Sequence, residues 1–186
     1  TTVMSQGDAG AENWAEYRET TIQASRTRVR MALNLSAPGE SMTGGCFENP
    51  AWADVDACVA AIEADGDDVW GIAVNASEIA CGATDPREVL RRGIAAAARK
   101  ARPLLYGLRD PRHWPLADQL ALLRPGDVVT YCFRQEPYGI VQQGAIPECV
   151  RHSRERGEMF DIGHGMASFG CAVAKAAIGS RIRSDT

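Results

Sequence analysis

Arg124–Phe133 reads RPGDVVTYCF. Arg124-Pro125-Gly126-Asp127 is a turn that stops whatever precedes it. Val128-Val129-Thr130 is rich in β-branched side chains and predicts a short buried strand. Tyr131, Cys132 and Phe133 stand where that strand runs out. In an α/β barrel, chemistry sits at the C-terminal ends of the strands. The role of Tyr131-Cys132 is therefore the question this stretch raises for the whole chain.

Upstream, the same alternation repeats. Thr1–Ser5 predicts a strand and Asn13–Ser25 a helix, with Trp14, Tyr17 and Ile22 as its apolar stripe. In Thr27–Ser36 the residues Val29, Met31, Leu33 and Leu35 share one strand face. Pro38–Asn49 holds three glycines and a proline. It is the one long loop, and long loops at strand ends are often active-site lids. Asn49-Pro50 starts the next helix, with asparagine as cap and proline at the first helical position. Val69–Val74 predicts a strand. Asp85-Pro86-Arg87-Glu88 starts a helix to about Ala101, with Asp85 as cap and Glu88 reaching back to the Asp85 N–H. Pro103–Leu108 is a strand and Pro115–Leu123 a helix.

Downstream, Ile146–Arg156 predicts a helix that stops at Gly157. Met159–Ile162 is a strand, Gly163-His164-Gly165 a tight turn and Ala167–Ala177 a small-residue helix. Arg181–Ser184 begins a last strand. Seven strands with a helix after each of the first six argue a parallel sheet with helices outside. Without a glycine-rich dinucleotide fingerprint, this order fits a TIM (β/α)8-type barrel better than a doubly wound sheet. The first βα unit and the last helix of such a barrel are missing. The expectation is one partial (β/α) barrel domain over residues 1–186.

Composition narrows the function. The chain is 45% hydrophobic and 24% charged, with a net charge of −4, ordinary values for a globular domain. No basic patch interleaved with aromatics points to nucleic acid, and no run of 18 apolar residues points to a membrane span. The six cysteines have irregular spacings without a C-x-x-C pair. They read as small buried hydrophobes in a reducing compartment, which predicts a cytoplasmic location. The chain opens on Thr1-Thr2-Val3-Met4 without an initiator methionine, so its start says nothing of targeting.

The strand ends supply the candidate chemistry: Gln6-Gly7-Asp8, Asn34-Leu35-Ser36, Ala73-Val74-Asn75, Tyr106-Gly107-Leu108, Tyr131-Cys132, Gly163-His164 and Asp185. This is a thin inventory for a metal site, which needs about three nitrogen, sulfur or carboxylate ligands. His164, between two glycines, is a candidate site residue or a turn histidine bonded to backbone. Asp185 could bind metal or act as a general base, or cap a following helix. Cys132 reads as a buried thiol, and His113 and His152 as exposed side chains. No P-loop, G-x-S-x-G elbow or H-E-x-x-H motif occurs.

TTVMSQGDAGAENWAEYRE, SRTRVRMALNLSAPG, VWGIAVNAS, LALLRPGDVVTYCF, ERGEMFDIGHGMASF and the closing Ile182–Asp185 together resemble the amidohydrolase superfamily. The likeness is to its dihydroorotase-like subgroup of amidohydrolase/deacetylase metallohydrolases, and it covers the chain from the second barrel strand to the eighth. It implies two divalent metals, usually zinc. Their ligands are an H-x-H on strand 1, a carboxylated lysine on strand 4, histidines ending strands 5 and 6, and an aspartate on strand 8. The bridging hydroxide attacks an amide or ester carbonyl.

Carried over, the lysine position is Ala73, the two histidine positions are Gly107 and Tyr131, and only Asp185 is retained, as metal ligand and catalytic group. The GHG turn puts His164 beside the substrate, and Asn75 ends a strand as a second substrate-binding candidate. Alanine and glycine offer no side-chain donor, and a phenol with pKa about 10 is a poor zinc ligand at neutral pH. The resemblance therefore implies at most one zinc or other divalent ion, or none. The primary expectation is a barrel related to deacetylases and dihydroorotases, non-catalytic or strongly altered. The alternative is a mononuclear-metal hydrolase of C–N or ester bonds, so whether the chain is an enzyme stays open. Expected partners are an acylated small molecule as substrate or ligand, with no nucleic acid and no membrane, and homo-oligomerisation left open.

Overall fold

The computed structural model describes residues 1–163 and 168–185. The chain falls into two compact units, Thr1–Leu105 and Tyr106–Thr186.

In the first unit, β1 (Thr2–Gln6) pairs in parallel with β2 (Arg28–Asn34), Thr2 opposite Arg28 and Gln6 opposite Ala32. β2 pairs in parallel with β3 (Val69–Asn75), with a register shift between Met31 and Ala32. β4 (Leu104–Gly107) starts in this unit, and Ile72 donates its N–H to Pro103 O at 3.0 Å. The expected helix over Asn13–Ser25 forms as α1 (Trp14–Tyr17), which continues as a π-helix over Arg18–Gln23. Trp14 is buried and donates its indole N–H to Asp65 O, and Arg18 clamps Asp65 and Asp68.

Asn49 caps the next segment as expected, taking the Ala51 N–H, but Pro50–Trp52 is a 3-10 turn. The helix proper is α2 (Val55–Asp65), capped by Asp54. After α3 (Glu78–Cys81), α4 (Pro86–Arg99) begins with Asp85 accepting the Arg87 N–H. Glu88 does not reach back to Asp85. It pairs with Arg91 and Arg92 one turn on, where two guanidinium groups outweigh one amide. α4 lies close on β3 because Gly93 has no side chain: a Cβ there would meet Val74 Cγ2 at 2.4 Å.

In the second unit, α5 (Leu116–Leu120) is followed by β5 (Val128–Thr130), which pairs in parallel with β6 (Met159–Phe160). α6 (Glu148–Arg156) ends at Gly157 with φ +101°, the left-handed stop its sequence predicts. The RPGD turn forms as read: Asp127 N–H donates to Arg124 O, Gly126 takes φ +89°, and the Asp127 carboxylate accepts Arg124 N, Nε and Nη2. The buried Gln119 satisfies the β4–α5 connection. Its oxygen accepts from the Tyr106 hydroxyl and Arg109 N, and its amide donates to Arg109 O and Trp114 O.

The seventh strand does not form: the described residues hold six strands, and α7 (Cys171–Gly179) is followed by coil. Ser180, Arg181 and Ile182 turn their N–H groups back onto the carbonyls of α7, and Arg181 takes φ +65°. Those donors are thereby unavailable to a ladder. Asp185 keeps one backbone bond to Phe160 O, at 2.9 Å. No helix among the described residues is long and apolar enough to cross a membrane.

Candidate functional site

In the first unit the loops after β1 and β2 are stitched to each other. Asn34 N donates to Ala9 O, Glu12 N to Ala37 O, and Asn13 Nδ2 to Pro38 O. Gly10 is obligatory here, since a Cβ would lie 1.8 Å from Ser36 O. The buried Asn34 ends β2, donating through Nδ2 to Gly7 O and accepting Ser36 N. Gly7 O also takes the Glu40 N–H at 2.9 Å, and Asp8 O takes both Ser41 N and Ser41 Oγ. These bonds hold Glu40, in the long loop, over the ends of the first three strands.

The Glu40 carboxyl stands beside Asn75, the last residue of β3. Asn75 spends its side-chain oxygen on Ser77 N–H and donates through its amide to Glu40. Burial raises Glu40 to about 7; the Asn75 bond opposes the rise, and the Asp8 charge adds to it. The Asp8 carboxylate accepts from Ser5 Oγ at 2.5 Å and from the Tyr17 hydroxyl at 3.2 Å. Glu40, Asn75, Cys46 and Ser77 line a cavity of about 200 Å³. Burial, with Glu40 and Cys81 nearby, pushes the Cys46 thiol up to about 12, so it is protonated and no nucleophile.

Ala73, the position the resemblance assigns to lysine, is buried against the first loop. A Cβ added to Gly7, at φ +98°, would meet Ala73 Cβ at 3.2 Å.

In the second unit the strand ends are closed by their own partners. Tyr131 takes φ +57°, a left-handed conformation unfavourable for an aromatic residue. Gly163 packs against it so closely that a Cβ would lie 2.3 Å from Thr130 Oγ1 and 2.8 Å from Tyr131 N. Thr130 Oγ1 donates to Asp161 Oδ2 at 2.6 Å, and the Cys132 thiol to Asp161 O at 3.2 Å. Burial raises Cys132 well above the ordinary thiol range, consistent with the inert thiol expected.

Asp185 lies beside β6 and α6. Arg154 donates to both of its oxygens and Phe160 N–H to one of them. The Arg154 bonds hold its pKa below the ordinary carboxylate value, against partial burial. His164 lies outside the described residues. His113 and His152 are exposed, as expected. The structure thus places Asn75 in a polar cavity and Asp185 in an ion pair. Glu40 was not singled out by the sequence; its only signal is an acidic residue in the long glycine-rich loop after β2.

The parallel strands, the crossing helices and the strand-end loops together match known proteins. A deacetylase of Brucella anthropi is 32% identical over 96% of this chain and 44% of its own length. A deacetylase of Agrobacterium fabrum is 31% identical, with the same coverage. Among solved structures, an adenine deaminase superposes with a TM-score of 0.89 at 29% identity, over 99% of this chain and 50% of its own. A dihydroorotase superposes with a TM-score of 0.84 at 29% identity, over 99% and 49%. The chain is similar to members of the amidohydrolase superfamily.

Its fold is the partial TIM-type barrel of these hydrolases. No protein-family model matches the chain. The chain spans about half the length of the curated relatives it matches.

The amidohydrolase fold implies a divalent metal, and the residues present do not fit a binuclear one. Ala73 and Gly107 carry no side-chain donor atom, and the phenol of Tyr131 is a poor zinc ligand. Asp185 already spends its charge on Arg154.

Proposed function

We propose that this amidohydrolase chain keeps the barrel as a ligand-binding scaffold, its binuclear metal chemistry lost. The observation that carries the reading is the Arg154 clamp on Asp185, the carboxylate the resemblance implies as a metal ligand. A metal would have to displace a guanidinium that donates to both carboxylate oxygens. The ligand is an acylated small molecule, the class suggested by relatives named deacetylases. Elemental analysis of the purified protein after mild dialysis tests the proposal. Zinc below about a tenth of an equivalent is the expected result. One equivalent that disappears in Asp185→Ala overturns it.

One observation favours a second reading. Asp185 is retained, and the relatives are named deacetylases, which supports a mononuclear hydrolase of N-acyl or O-acyl compounds. That reading requires acetate release from N-acetylated amino acids when zinc is supplied, with loss of the activity in Asp185→Asn.

A further inference from the structure

The cavity beside Glu40 has a one-sided chemistry. Its lining carries one carboxyl, one carboxamide, one hydroxyl and one protonated thiol, and no basic side chain. The same is true of the groups around it. Asp8 faces Glu40 from the end of β1, Cys46 from the long loop, and Cys81 stands behind Cys46 on α3. Glu48 is near, its carboxylate 3.5 Å from where a Gly44 Cβ would lie. Each of these neighbours is an acid. At the mouth stands Ile79, a lining residue with 86% of its surface exposed. An isoleucine left this open on a short helix, at the lip of a polar cavity, offers apolar surface to whatever enters.

We propose that this cavity binds a primary alkylammonium group, with the Glu40 carboxylate as counter-ion and Ile79 as the seat of the alkyl chain. Asn75 holds the carboxylate through its amide, and a carboxylate has further lone pairs with which to accept from the ligand. Ser77 Oγ accepts the Ala80 N–H at 3.3 Å and has a second lone pair for an ammonium proton. A cation supplies the one charge the site lacks. Binding and ionisation of Glu40 are then linked: the ligand takes the carboxylate form, and burial with Asp8 nearby favours the acid form in its absence. The proposal does not depend on metal binding or on hydrolysis.

The test is a titration of the whole 186-residue chain with n-butylammonium chloride at constant ionic strength. It is followed by amide chemical shifts, with 1-butanol as the neutral control. At pH about 8.5 the shifts saturate and centre on Asn75, Ser77 and Ile79, and 1-butanol produces none. At pH about 5.5 the affinity is about 30-fold weaker, because a carboxyl titrating near 7 is then almost wholly protonated. Glu40→Gln binds at least about tenfold more weakly and loses the pH dependence. Ile79→Ser, at an exposed position, keeps the fold whatever Glu40→Gln does, and weakens n-butylammonium more than ethylammonium. Equal binding of 1-butanol, pH-independent binding, equal loss of both amines in Ile79→Ser, or no saturable shift at pH about 8.5 would each overturn the proposal.

Discussion

The two units treat their carboxylates differently. In the second, three well-placed acids have an arginine of their own. Asp127 is closed by Arg124, Asp110 by Arg112, and Asp185 by Arg154. Hydrogen bonds from those guanidinium groups pull Asp110 and Asp185 below the ordinary carboxylate range. In the first unit Glu40 is buried at the strand ends with an amide and another acid for company, and it is pushed up to about 7. A compensated carboxylate holds a fold together. An uncompensated one costs stability when charged, and is poised to take a proton or a cation. The difference separates structural acids from a candidate site.

Removal of a compensated acid should therefore destabilise the protein, and removal of the uncompensated one should not. The largest effect belongs to Asp127→Ala. It leaves Arg124 and a turn amide without the buried carboxylate that accepts them, at a cost of about 3 kcal/mol in urea unfolding. A loss under about 1 kcal/mol would show that the arginine pairs are ornamental, and the contrast would fail.

Glu40 comes next and has the opposite sign. Its folded value lies above the ordinary 4.5, so the folded state holds more protons between pH 4.5 and about 7. Stability accordingly falls as pH rises through that window, by about 2–3 kcal/mol. Thermal melting of Glu40→Gln across the same range should lack this fall. Superimposable wild-type and variant profiles would remove the uncompensated acid from the comparison.

Asp185→Ala should cost about 1–2 kcal/mol, since the pair with Arg154 is partly exposed. Because its folded pKa is depressed, that contribution is present above the unfolded value and lost as pH falls through the folded one. A double-mutant cycle with Arg154→Ala isolates the coupling. The smallest effect is Glu88→Ala on the surface of α4, about 0.5 kcal/mol or less despite two arginine partners. A large loss there would mean that pairing itself, and not burial, sets the energies.

Much of the frame was legible in the chain. The RPGD turn, the Asp85 cap and the Gly157 stop follow from backbone sterics and from hydrogen bonds between residues two to four apart. The alternation of apolar runs with helical stripes yielded the barrel class, because burial of one face needs only local periodicity. The strand expected over Arg181–Ser184 failed for the complementary reason. Its β-compatible residues lost their N–H groups to the end of α7, a competition no composition reveals. Asn75 was flagged as a strand end. Its neighbour in the cavity, Glu40, lies 35 positions away in sequence and carries no motif.

The sequence by itself determined the order of the first six strands, the main turns between them, and the lack of a side-chain donor at Ala73 and Gly107. These depend on side-chain chemistry and on spacings of a few residues. Only the tertiary structure decided what the acids do. Asp185 acquires Arg154 from a helix more than two dozen residues earlier, and Glu40 is brought down over a cavity whose lining carries no basic side chain. A carboxyl group's pKa is set by desolvation and by the charges within a few ångströms, and folding alone assigns both.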